Sequence, residues 1–212
     1  MREVTAADAV RDVLLRLRHS THLLLGIAGP PASGKSTLAA EVADAASRSG
    51  ISAVVVPMDG FHLAQSVLDA RGLAGVKGAA DTFDAAGFVA LLRRIRAADS
   101  TVWAPAFDRA LENAVAGSIE VPPDVRLVVT EGNYLLDDTP PWRDIAPLLE
   151  ETWYVRLDDD VRRARLVARH EAYGRTHDEA VSRAYGTDEH NAVRIAASVH
   201  RADRVVLAPE RS

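Results

Sequence analysis

Apolar positions along the chain recur with two periods, and segments of the two kinds alternate. Residues 5–18 place Val10, Val13, Leu14 and Leu17 on one helical face, and Thr5 and Asp8 have the spacing of a capping box at its start. Residues 23–28 are a continuous apolar run that reads as a buried strand. Residues 35–49 return to helical period, with Leu38, Val42 and Ala46 inward and Gly50 as the stop. Residues 51–57 are rich in β-branched side chains and read as a second strand. Residues 84–97 predict a helix with Phe88, Leu91, Leu92 and Ile95 on one side. Further strands are expected at 125–130, 152–157 and 204–208, a helix at about 160–173, and one or two more within 178–199.

Strands alternating with helices predict an α/β fold in three layers, a mostly parallel sheet covered on both faces. Ligands in such folds gather at the C-terminal ends of strands. Three of the expected strands end on polar groups there: the loop from Gly29, Asp59 and Glu131. Two stretches break the pattern. Residues 70–82 are rich in Gly and Ala and are expected to form a mobile loop; residues 104–124 are expected to be a loop with a hairpin in it. Long loops inside a compact domain commonly bind something.

Composition narrows the class. The 212 residues suit one domain over 1–212 with a small lid, and 48% hydrophobic residues suffice for a core. There is no cysteine, hence no disulfide framework or thiolate metal site. A net charge of −5 argues against a nucleic-acid-coating protein. The apolar run at 23–28 is too short for a bilayer and lacks a basic flank and cleavage site. The expectation is a cytoplasmic protein with no membrane partner; oligomeric state, a homodimer included, is left open. Basic residues are almost all arginine, with Lys35 and Lys77 the two lysines. A lysine surviving such a bias points to a place that needs a compact ammonium.

Lys35 lies in Gly29-Pro30-Pro31-Ala32-Ser33-Gly34-Lys35-Ser36, which matches G-x-x-x-x-G-K-[ST] at every fixed position and is followed by Thr37. The glycines permit a loop whose N–H groups surround phosphate oxygens, Lys35 places a cation against the β- and γ-phosphates, and the Ser36 hydroxyl can ligate Mg²⁺. A strand before and a helix after supply the context that the motif requires. ATP and Mg²⁺ are therefore the expected cofactors.

Two carboxylates narrow the reaction. Asp59, just past the second strand, is placed to take a proton from an attacking hydroxyl; its alternative is a turn residue before Gly60. Glu131, ending an apolar strand, is placed for metal ligation; its alternative is an exposed strand-end carboxylate. Arg162, Arg165 and Arg169 are spaced to share one helical face, either over a triphosphate or as a solvated surface. The two irregular stretches carry isolated polar groups among small residues, and His62, Arg71, Lys77 and Arg109 are expected to line an acceptor pocket.

In this order the motifs resemble the phosphoribulokinase/uridine kinase family of P-loop kinases, which includes bacterial-type pantothenate kinases. The resemblance runs through residues 29–37, Asp59-Gly-Phe, Asp81-Thr-Phe-Asp84, Pro105-Ala-Phe107-Asp108, Glu131-Gly, the arginine helix and Ala202-Asp-Arg-Val-Val. It implies a five-stranded parallel core with an arginine-bearing helical lid at about 158–180. It also implies Asp59 as base, Glu131 near Mg²⁺, Arg165 and Arg169 as lid arginines, and Phe107 in the substrate loop. Asp59-Gly-Phe-His62 is nearer the pantothenate kinase pattern, and residues 107–112 lack the histidine of uridine kinases. The chain is most similar to a bacterial nucleoside/nucleotide kinase-like or fructokinase-like branch. The expected activity is ATP-dependent phosphorylation of a hydroxyl on a nucleoside, sugar or related metabolite. A regulatory or assembly NTPase is the competing reading, and a metabolite that stimulates ATP turnover separates the two.

Overall fold

The computed structural model describes residues 2–208. Its elements run β1 (Arg2–Thr5), α1 (Ala6–Leu17), β2 (Leu23–Ala28), α2 (Lys35–Arg48), β3 (Ala53–Pro57), α3 (Gln65–Ala70), α4 (Ala85–Ala97), β4 (Val102–Asp108), β5 (Asn113–Val121), β6 (Leu127–Gly132), β7 (Glu151–Arg156), α5 (Asp159–Ala172), α6 (His177–Tyr185), α7 (Thr187–Ala197) and β8 (Arg204–Leu207). Six strands form one sheet in the order β1-β8-β7-β2-β6-β3, with every pairing parallel. The expected five strands are all present. The sixth, β1, adds outside β8 and buries only Val4. A single inward side chain on an edge strand leaves no periodic signal, so the sequence pattern predicts no strand there.

The helix start expected at Thr5 holds: the Thr5 hydroxyl accepts from the Asp8 amide at 3.1 Å. Both sheet faces are apolar because both are covered. Leu23, Leu25 and Ile27 of β2 pack with α1 and α2, while Leu24 and Ala28 point the other way into a second core with Phe88 and Leu92 of α4. Successive strand residues face opposite sides, so a strand buried on both faces is apolar throughout rather than alternating.

The irregular stretches are more ordered than expected. Residues 104–124 are mostly an antiparallel hairpin, β4–β5, with its pairing shifted between Ala104 and Ala106 around Pro105. The hairpin stands off the main sheet and buries few side chains, among them Val102, Ala104 and Val121, so it lacks the apolar alternation of a core strand. Residues 70–82 follow α3 as two short 3₁₀ turns, Ala74–Val76 and Ala80–Thr82. This segment is pinned by Tyr134 Oη donating to Gly78 O at 2.8 Å and Arg183 Nη2 donating to Lys77 O at 2.7 Å. No helix among the described residues is long and apolar enough to cross a membrane.

Candidate functional site

The turn between β2 and α2 is shaped by backbone that few sequences tolerate. Ala32 and Gly34 have φ of 63° and 93°, in the left-handed region. Gly29 leaves room for the fully buried Ser33, since a Cβ at Gly29 would lie 2.7 Å from Ser33 Oγ. That Oγ has no hydrogen-bond partner among the described residues. Pro30 is buried and accepts from the Ser33 amide at 3.2 Å. No side chain caps α2, so its first N–H groups point into the loop.

β6 lies beside β2 and carries Glu131 as its next-to-last residue, 5% exposed. Ser36 Oγ donates to Glu131 Oε1 at 2.9 Å. Burial pushes the Glu131 carboxyl above its usual range, and the nearby Lys35 ammonium opposes that rise. β3 lies on the far side of β6 and runs into a short 3₁₀ turn, Met58–Phe61, that carries Asp59. The hairpin packs against this turn: a Cβ on Gly60 would sit 2.2 Å from the Pro105 carbonyl oxygen. That contact brings Arg109, at the hairpin tip, to 3.5 Å from Asp59.

Two cavities meet at this point. The larger, about 1350 Å³, runs between α1 and α2 and is walled by the phosphate loop from Ala32 to Thr37, by Arg165 and Arg169 of α5 and by residues 206–208. The smaller, about 640 Å³, holds Asp59, His62, Phe107 and Arg109, with Pro31 at its loop end. Lys35 and Arg169 belong to the walls of both. Arg169 is largely buried; desolvation and the neighbouring Arg109 guanidinium both lower its hold on its proton.

His62 stacks on Phe83 with centroids 3.9 Å apart and meets the edge of Phe107 at 5.1 Å. Burial pushes its imidazole below the usual range, while the Asp59 carboxylate pulls it back up. Lys77 Nζ donates to Glu112 O at 2.8 Å and lies 5.1 Å from the Phe107 centroid. Of the expected acceptor residues, His62, Lys77, Phe107 and Arg109 therefore share one cleft. Arg71 does not line it; Arg71 is exposed at the C-terminus of α3. Nor does Arg162 join Arg165 and Arg169 in the cavity walls, although helical spacing puts it on their side of α5. It is fully buried and bonded to Asp159 at 2.9 Å and Glu189 at 2.5 Å, so it fastens α5 to α7.

Asn133, His170, Tyr173, Arg183 and Asp188 also line the smaller cleft and were not anticipated. Asn133 lies two residues beyond Glu131, so the strand-end rule that singled out Glu131 could have reached it. The rest come from α5 to α7 and the turn after α5, and only the tertiary fold brings them there.

The family model described as "Phosphoribulokinase / Uridine kinase family" matches residues 24–208. A Schizosaccharomyces pombe protein whose name proposes a uridine kinase is 40% identical over 179 residues, 79% of this chain and 75% of that protein. A Silicibacter crystal structure whose name proposes a fructose transport system kinase is 42% identical with a TM-score of 0.84, covering 97% of this chain and all of that one (100%). The Saccharomyces cerevisiae YFH7 structure shares the fold, with a TM-score of 0.82 at 18% identity over 97% of this chain and 99% of that chain.

Proposed function

Given that this chain belongs to the phosphoribulokinase/uridine kinase family, a family of ATP-dependent kinases, we propose that it transfers the γ-phosphate of ATP to a hydroxyl of a small metabolite held in the 640 Å³ cleft. One observation carries this reading: Lys35 and Arg169 stand in the walls of both cavities. A triphosphate cradled by residues 29–37 would end at that junction, against the cleft that contains Asp59. A binding module or switch has no need of a second pocket opening on the terminal phosphate.

Asp59 is the base in this reading, accepting the proton of the attacking hydroxyl as the O–P bond forms. Arg109 stands 3.5 Å from that carboxylate, at the edge of the same cleft. Lys35, Arg165 and Arg169 offset the charge that spreads over the transferring phosphoryl oxygens. Closing α5 and α6 over the site would keep water from competing with the acceptor.

The oxygen-only donors at the loop fit a hard divalent cation. The Ser36 hydroxyl and the buried Glu131 carboxylate would hold Mg²⁺, which neutralises phosphate charge when bound. Among the described residues no group of three or more acidic or histidine side chains forms a cage. Phosphate oxygens and water would complete the shell, as is usual for this ion.

His62, Lys77, Phe107 and Arg109 are the acceptor-binding side chains in this reading. The names of the two similar proteins point to different acceptors, a nucleoside and a sugar, so the acceptor has to be found by assay. The test is ADP release with Mg²⁺ and ATP against a panel of nucleosides, sugars and hydroxy acids, with the product mass read in parallel. A metabolite that stimulates turnover and gains one phosphoryl group supports the proposal. Turnover that no metabolite stimulates and a protein partner does would replace it with a regulatory NTPase.

A further inference from the structure

Resting on the reading that the smaller cleft takes the phosphoryl acceptor, we propose that the acceptor carries an anionic group, a carboxylate or a phosphate. That group is seated by Lys77, Arg109, Arg175 and Arg183, while hydroxyls of the same molecule bond to His62 and Asn133. The substrate class is then a small hydroxy acid or polyol phosphate rather than a neutral sugar or nucleoside.

The charge of this cleft opposes that of the protein. The chain has a net charge of −5, yet the cleft wall carries six lysines and arginines against the carboxylates of Asp59, Glu112 and Asp188. Lys35 and Arg169 also wall the larger cavity, where the nucleotide's phosphates account for them. Four cations remain on the acceptor side alone.

Lys77, Arg109 and Arg183 are at most weakly paired with the local carboxylates, whereas Arg175 is exposed and its charge also acts on Glu179. Asp188 is engaged by His170 at 2.7 Å. Asp59 is 3.5 Å from Arg109, a long contact for an ion pair. Lys77 makes its short bond, 2.8 Å, to the main-chain oxygen of Glu112; the Glu112 carboxylate is 3.5 Å away and 61% exposed. Arg183 spends its donors on the carbonyls of Gly75 and Lys77, which carry no charge. Lys77 and Arg109 also lie near enough to His62 to oppose its protonation, against the pull of Asp59.

The polar atoms left over supply the rest of the recognition. His62 Nδ1 and Asn133 Oδ1 are buried and have no partner among the described residues, and both residues line the cleft. Buried polar groups are seldom left without partners, because an unmade bond there is costly. A neutral imidazole and an amide oxygen can each bond a hydroxyl. Phe83 and Phe107 give the apolar faces against which a short carbon chain or sugar ring would lie.

The test uses matched compounds that differ only in charge: glycerol, glycerate and glycerol 3-phosphate; ribose, ribonate and ribose 5-phosphate. Binding to the full chain loaded with Mg²⁺ and ADP is measured by calorimetry, and turnover with ATP by ADP release. The inference expects at least one acid or phosphate to bind about 10²-fold or more tightly than its neutral counterpart, the scale of two charge-assisted hydrogen bonds. The acid and phosphate arms separate the two forms of anion. Lys77→Ala should weaken the charged member by about tenfold and the neutral one little. Glu112→Gln should act in the opposite direction, tightening the charged member by a few fold, because it removes the carboxylate nearest Lys77. That gain cannot come from a damaged fold. Equal affinity within every pair, or no charged compound binding at all, overturns the inference. A neutral acceptor turned over as well as its charged partner also overturns it, yet leaves the kinase reading intact. Charged compounds that bind without ever being phosphorylated do the reverse.

Discussion

Ser36 at the start of α2 donates its hydroxyl proton to Glu131 near the end of β6, 2.9 Å across elements 95 residues apart. The bond closes the junction between the phosphate loop and the neighbouring strand. It also holds a carboxylate where burial disfavours its charge. Folding alone gains little from a charged group in that place.

Glu131→Gln should therefore separate stability from function. A carboxyl whose pKa is raised on folding loses stability as the pH climbs from its unfolded value to its folded one and carries the full cost above that, and an amide cannot ionise. The variant should melt higher without ligand, by about 1 kcal/mol or roughly 2–4 °C for a chain of this size. It should also need more Mg²⁺ for half-maximal activity. Thermal melts and a Mg²⁺ titration check both; an unchanged titration removes Glu131 from the metal site.

Lys35→Ala should abolish measurable nucleotide binding while leaving the fold and melting temperature close to wild type. Lys35 is only partly buried at the mouth of two cavities and contributes no core packing. Calorimetry with ATP and circular dichroism read the two halves of this claim. Wild-type affinity in the variant contradicts it.

Gly60→Ala should cost about 1–3 kcal/mol, the range for forcing extra atoms into a packed site. The new Cβ would meet the Pro105 carbonyl, which is backbone and cannot rotate away. Either the hairpin or the turn carrying Asp59 has to shift, so kcat should fall along with stability. Full activity and an unchanged melt would mean that the turn and the hairpin are not coupled.

The attachment of α5 to α7 should be sensitive to acid. Arg163 and Arg162 depress the Glu189 carboxyl to about 2. A depressed carboxylate adds stability above its unfolded pKa, near 4.5, and that stability is lost as the pH falls toward the folded value. Wild type should thus lose stability between pH 4.5 and 2 more steeply than Glu189→Gln. At pH 7 the same variant should be weaker by about 2–3 kcal/mol, since it strips a partner from the buried Arg162. Parallel slopes for the two proteins would remove Glu189 from the acid response.

Local pattern carried the core of this fold well. β2, β3, β6, β7 and β8 are apolar because helices cover both sheet faces, and that continuity is visible without a structure. The phosphate loop was legible because its spacing is a backbone requirement. β1 was not, because one inward valine makes no period. The hairpin was legible only as part of a loop over 104–124, because its strands bury too little and contain Pro105. Arg162 misled because helical spacing gives a face but not its surroundings; here they are Asp159 and Glu189 rather than phosphate. Tyr173, Arg183 and Asp188 reach the cleft through the packing of the last helices, which no local pattern encodes.

The central claim is that Asp59 activates an acceptor hydroxyl beside the terminal phosphate of ATP. Once the panel has yielded an acceptor, single-turnover transfer by Asp59→Asn, with ATP binding measured on the same preparation, tests it most directly. The account predicts ATP affinity within about twofold of wild type and phosphoryl transfer slowed by about 10²-fold or more, the usual scale for losing a general base. Undiminished transfer with intact binding would contradict it and leave Asp59 as a turn residue before Gly60.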